Sequence, residues 1–232
     1  MNEIREVWTG KGMTLLRPVL RYWITLMDRI HEDWSRVQTR ADGREPQRDF
    51  PWWYGERAHV GLLAVAAFQA GGLALEEYSE EKHTREEGTW LGRTDLYLQL
   101  GPRNWHIEAK YLWLELRDLG EEPGAYSRPA ERVEEQLQEA REDSAAHLHK
   151  PTQPLAAVFV VVTTPWMDTV ERKGSHREAV MRPVEAWLEA LDDYVSYRAS
   201  ACYFPEGGEE ARYENRACPG AVLLLDPVNK EE

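Results

Sequence analysis

TDLYLQLGPRNWHIEAK, residues 94–110, reads as two apolar strands and the turn that joins them. Leu96, Leu98 and Leu100 alternate with polar neighbours, the period of a strand with one covered face. Gly101-Pro102 breaks the run, because glycine accepts turn dihedrals and proline cannot donate to a ladder. The strands are read as 90–100 and 104–116. Glu108 and Lys110 stand two residues apart in the second, so their side chains leave the same face. Folded as a hairpin turning at 101–104, the pair sets Asp95 and Glu108 on facing strands at comparable distance from the turn.

Working outward, a third strand is expected at 73–81, which makes an antiparallel meander. Before it, a helix at 54–70 carries Val60, Leu63, Ala64, Ala67 and Phe68 as an apolar stripe, has Glu56 in its first turn and stops at Gly71-Gly72. A longer amphipathic helix at 14–37 repeats Leu16, Leu20, Trp23, Met27 and Ile30 at helical spacing. The polar stretch 38–51 between these helices reads as a loop. Downstream, Ser127 and Pro129 open a helix that runs to about His147 with one strongly acidic face. LAAVFVVVT, residues 155–163, is a β-branched run of the kind found in a strand covered on both faces. A helix at 176–197, interrupted near Pro183, and a strand at 221–225 complete the order α, α, β, β, β, α, β, α, β.

The chain of 232 residues with 42% hydrophobic content suits one domain, 1–232: an N-terminal helix and loop (1–50), the motif-bearing core (51–165), and a C-terminal helix and strand (166–232). Net charge −13 repels polyanions on average, although bound divalent metal reverses the local sign. The two cysteines, Cys202 and Cys218, make no disulfide framework and no zinc spacing. A reducing, cytoplasmic setting is expected, with no leader and no membrane span. Most of the ten tryptophans are expected to fill core.

Converging carboxylates repel unless a cation lies between them, and oxygen-only ligands suit Mg2+ or Mn2+. Lys110 beside such a site would stabilise charge that develops on a phosphodiester and help orient an attacking water. The backbone carbonyl of Ala109, between Glu108 and Lys110, is a further candidate oxygen ligand. The same spacing also fits a plainer arrangement, an outward strand face with Asp95 in a surface ion pair and Trp105, Ile107, Ala109 and Tyr111 buried behind it.

Asp95 followed by Glu108-Ala109-Lys110, within a helix–strand–strand–strand–helix–strand order, resembles the PD-(D/E)xK nuclease superfamily over residues 54–163. The resemblance implies an α/β fold with a restriction-endonuclease-like core, a central mixed sheet flanked by helices, and here an extra N-terminal helix. It implies metal-dependent hydrolysis of nucleic-acid phosphodiesters, DNA favoured over RNA, in restriction, defence or repair. Asp95 and Glu108 would then bind the metal, Lys110 would aid the water, Glu56 would contribute from the preceding helix, and Gln136 could approach from the following one. Thr94 stands where the family name has proline. A non-catalytic module of the same fold, acting within a protein or nucleic-acid assembly, is the alternative, and an adaptor without nuclease ancestry a more distant one.

Arg93 and Arg103, with Arg57, Lys82 and Lys150, are the candidate phosphate contacts. A homodimer or a partner protein is compatible with cutting both strands of a duplex. His147 and His149, at a helix end, are expected to be solvated or capping. Gly71-Gly72 lacks the spacing of a phosphate loop, and neither Ser144 nor either cysteine has a catalytic histidine and acid arranged around it.

Overall fold

Along the chain the structure runs β1 (Ile4–Thr9), α1 (Arg17–Val37), α2 (Glu56–Gln69), β2 (Leu73–Thr84), β3 (Gly88–Leu100), β4 (Arg103–Glu115), α3 (Ser127–Ala145), β5 (Gln153–Pro165), α4 (His176–Tyr194), β6 (Ala199–Phe204), β7 (Arg212–Tyr213) and β8 (Arg216–Pro227). Short 3-10 turns lie at Thr14–Leu16, Pro51–Trp53 and Gly208–Glu210. The computed structural model describes residues 3–37, 50–84, 88–117, 119, 124–147, 151–166 and 175–228. Most of the loop read at 38–51, together with His149 and Lys150, lies outside them.

The strands form one mixed, open eight-stranded sheet in the order β1-β6-β8-β5-β4-β3-β2, with β7 paired to β8. The pairing of β4 with β5 is parallel; the other pairings are antiparallel. Parallel neighbours need a crossover, and α3 supplies it. Side chains of β5 alternate between two cores. Leu155, Ala157, Phe159 and Val161 join α1 and α2 on one face, while Ala156, Val158, Val160 and Val162 join α3 and α4 on the other. This double burial accounts for the uninterrupted apolar run, since neither face of the strand meets water. Trp23, Trp52, Trp105 and Trp187 are fully buried, as core tryptophans should be.

The expected meander is present, with Leu96↔Ile107 and Leu98↔Trp105 between β3 and β4 and Leu75↔Tyr97 between β2 and β3. Three strands were not expected. β1 is an edge strand whose apolar residues are interrupted by Arg5 and Glu6, and β6 is built largely from Ala, Ser and Cys, so neither carries a clear alternating signal. Residues 4–9 therefore belong to the sheet rather than to an N-terminal helix and loop, and three C-terminal strands stand where one was expected. α4 passes through Pro183 unbroken. A proline inside a helix removes a hydrogen bond at a cost of about 3 kcal/mol. Val180, Met181, Val184, Trp187 and Leu191, all buried on one stripe, offset that loss.

Among the described residues no helix is long and apolar enough to cross a membrane. Close seating of β6 on β8 requires Gly220, where a Cβ would stand 2.1 Å from the Tyr203 carbonyl oxygen and 2.7 Å from a Phe204 ring carbon. Gly220→Ala should therefore destabilise the fold by about 2 kcal/mol, read as a lower urea midpoint. An unchanged midpoint would mean that β6 does not sit on β8 in this register.

Candidate functional site

The β3–β4 ladder stops at Leu96↔Ile107, one residue short of Asp95 and Glu108. Beyond that point the Ala109 N–H donates to Asp95 Oδ2 at 2.8 Å, so a side-chain carboxylate takes the place of a ladder carbonyl. In an extended strand one residue's N–H and C=O face the same edge, which turns the Ala109 carbonyl toward β3 as well. Asp95 is thus fixed at the middle residue of Glu108-Ala109-Lys110.

Glu108 and Lys110 project toward α3, the face that the period-two reading gives them. Glu108 is only 5% exposed, and its Oε1 lies 2.7 Å from His147 Nε2. His147, itself wholly buried, sits just past the end of α3 and reaches His106 on β4 through a 3.2 Å Nδ1–Nδ1 contact. His106 in turn meets the Tyr78 hydroxyl at 3.4 Å, and Thr94 Oγ1 lies 3.5 Å from His147 Nε2. Lys110 Nζ donates to Asp143 Oδ2 on α3 at 2.6 Å. The outward-face arrangement is therefore overturned: Trp105, Ile107 and Ala109 are buried, but so is Glu108, and the ion pair of Lys110 is with α3.

Glu56 opens α2, which belongs to the opposite layer. Its carboxyl pKa is raised, first by burial and then by the charges of Asp95, Glu108 and Asp143, with Lys110 opposing them. Four acidic side chains and one lysine thus share one neighbourhood. The start of α2 is fixed by its surroundings: Trp52 Nε1 donates to the Cys218 carbonyl at 2.8 Å, His59 Nε2 meets the Trp52 carbonyl at 3.2 Å, and Tyr111 donates to the Trp53 carbonyl at 3.3 Å. Burial lowers the His59 pKa to about 4, so this histidine is a neutral core group. Burial works against the charge on Lys110, but the hydrogen bond and charge of Asp143, with Glu56 and Glu139, leave its pKa raised.

The remaining expected residues divide. Arg57 and Arg93 both pair with Glu77, a β2 residue at φ 47°, where the β2–β3 register passes over the position opposite Asp95. Arg103 lies at the turn end of the hairpin, bonded to the Gly12 carbonyl, about 17 Å of strand from Asp95. Gln136 is half-buried on the same face of α3 as Asp143 but two turns earlier, about 10 Å along the axis. Asp143 is the residue of that helix that reaches the lysine, and the acidic face of α3 gave no reason to single it out. His147 was expected in solvent and is instead buried against Glu108. Its place in a polar cluster depends on a helix end meeting the parted strands, which local spacing does not encode. Among the described residues, no group of three or more His, Cys, Asp or Glu side chains is gathered as a metal-ion cage.

Compared with known proteins, the chain matches no family model, no curated protein and no solved structure.

The crowding of Glu56 has a measurable consequence. With a folded-state pKa above the ordinary 4.5, its carboxyl binds more protons folded than unfolded, so the fold loses stability as pH rises from 4.5 through that raised value. Relative to wild type, Glu56→Gln should therefore gain stability between pH 4.5 and neutrality in urea unfolding. A difference that is equal at both pH values would mean that neither burial nor its acidic neighbours raise the Glu56 pKa.

Proposed function

We propose that the protein is a metal-dependent nuclease of the PD-(D/E)xK type with a restriction-endonuclease-like core, acting on nucleic-acid phosphodiesters, DNA before RNA. The observation that carries this reading is the Asp95 carboxylate held on the Ala109 N–H, between Glu108 and Lys110, where β3 and β4 part. The mixed sheet with α2 before the meander and α3 after it accords with the core order of that superfamily.

The donor set fits a hard divalent cation. Glu56, Asp95 and Glu108 are carboxylates, the last two add to burial in raising the Glu56 pKa, and the Ala109 carbonyl adds a neutral oxygen on the same strand edge. Asp95, Glu108 and Ala109 would hold Mg2+ or Mn2+, with Glu56 close to it or to its water. When bound, the cation supplies Lewis acidity and lowers the pKa of a bound water.

The chain's own residues do the rest. Asp95, anchored by a backbone donor, keeps its oxygens oriented as substrate enters. Glu108, buried, keeps its carboxylate from being hydrated. Lys110, charged because Asp143 and Glu56 hold its proton, faces the place where the phosphodiester's extra negative charge develops and orients the attacking water by hydrogen bonding. Arg57 and Arg93, clustered on Glu77 at the start of α2, would contact a phosphate backbone; Arg103, at the far turn, is left to more distant contacts.

One observation favours the alternative of a binding module: Lys110 and Glu108 each already have an internal partner, Asp143 and His147. Labelled single- and double-stranded DNA and RNA, incubated with Mn2+ or with chelator, separate the two. Cleavage by the wild type that needs Mn2+ and falls about 100-fold or more in Lys110→Ala is the expected result. Binding without cleavage in every arm would establish the module instead.

A further inference from the structure

The pair Glu108 and His147 is not needed to explain the motif, yet it lies at its centre. We propose that His147 is a positioning residue for Glu108, presenting that carboxylate to a divalent cation in one orientation; the inference rests on the nuclease reading above and adds a residue to it.

Counting protons fixes the direction of the hydrogen bonds. His106 and His147 face each other through their Nδ1 atoms at 3.2 Å, so one of the two must carry the proton there. Glu108 Oε1, 2.7 Å from His147 Nε2, accepts when it is a carboxylate. A bare Nε2 would set two lone pairs against each other, so Nε2 carries a hydrogen whether His147 is neutral or charged. In the neutral form Nδ1 is then bare and accepts from His106 Nδ1–H. In that form one hydrogen bond runs from His106 to His147 and a second from His147 to Glu108. The Tyr78 hydroxyl lies 3.4 Å from both ring nitrogens of His106.

The place of the imidazole matters as much as its bond. Thr94 Oγ1, on β3 next to Asp95, lies 3.5 Å from the same Nε2 that meets Glu108 on β4. His147 therefore stands beside both strands just where their ladder has ended, with its Nε2–H given to Glu108 and its ring against Thr94. Threonine rather than proline at position 94 supplies the hydroxyl for that contact. An apolar side chain at position 147 would fill space but give Glu108 no directional bond.

The full-length wild type, His147→Gln and His147→Leu decide the matter by Mn2+ titration calorimetry in magnesium-free buffer, with urea unfolding in parallel. Removing a group that orients a metal ligand typically weakens metal binding 10- to 100-fold, so His147→Leu should fall by about that factor. His147→Gln, whose side-chain amide offers an N–H at similar reach, should stay within about threefold of wild type, whatever stability it loses. Wild-type Mn2+ affinity in His147→Leu, or equal weakening in both variants, overturns the positioning role and leaves the nuclease reading standing. No Mn2+ binding by the wild type overturns both. Should His147→Leu fail to fold, long-range 1H–15N correlation in the wild type decides. A protonated His147 Nε2 whose resonance moves in Glu108→Gln supports the proposal, and a bare Nε2 overturns it.

Discussion

A backbone N–H that leaves a β-ladder must find another acceptor or remain buried and unpaired, at a cost of about 1–3 kcal/mol. The Ala109 N–H finds the Asp95 carboxylate, and much of the site follows from that exchange. Because β3 no longer supplies a carbonyl at this point, the two strands can separate; because they separate, an imidazole from the end of α3 fits between Thr94 and Glu108. The Asp95 carboxylate is thereby an element of the fold as well as a candidate ligand. This dual use ties the candidate site to the middle of the sheet, since β4 is held on its other side by an unbroken parallel ladder from Trp105↔Gln153 to Glu115↔Thr163.

Charge is distributed unevenly within this frame. Glu56, Asp95, Glu108 and Asp143 outnumber Lys110, and Arg57 and Arg93 are occupied by Glu77. Exposed pairs of this kind are worth little, about 0–1 kcal/mol, so a phosphate can replace a carboxylate partner at small cost. The buried pairs are different. Glu108 is shielded from water, and losing the His147 donor would leave a buried carboxylate oxygen without that hydrogen bond. The cluster is thus firm at its centre and exchangeable at its rim.

Period and burial were legible in the sequence wherever they were strong. Leu96, Leu98 and Leu100 gave the meander, the run from Leu155 to Thr163 gave a strand covered on both faces, and the two-residue spacing of Glu108 and Lys110 gave their common face. Strands rich in charge or small side chains, the edge strand β1 and its inner neighbour β6, were not legible, because such residues carry little alternating apolar signal. The helix through Pro183 was not legible either, since a local penalty says nothing of the tertiary burial that outweighs it. In the site, strand partners could be read, but the helix partners could not. Asp143 looks like any other acid on the solvated face of α3, and His147 like a frayed helix end, until the crossover lays that helix along β4.

The parallel pairing of β4 with β5 also bears on when the site comes into being. Antiparallel hairpins such as β3–β4 close locally and fast, whereas a parallel ladder waits for its crossover to be laid down. Asp95 and Glu108 can meet early, in the hairpin, but Asp143 and His147 arrive only when α3 docks against β4 and β5. A chain caught midway in folding would hold its carboxylates without the lysine's partner and without the histidine beside both strands. Completion of the candidate site is in this way postponed until the sheet is whole, so that a half-folded molecule has only part of it.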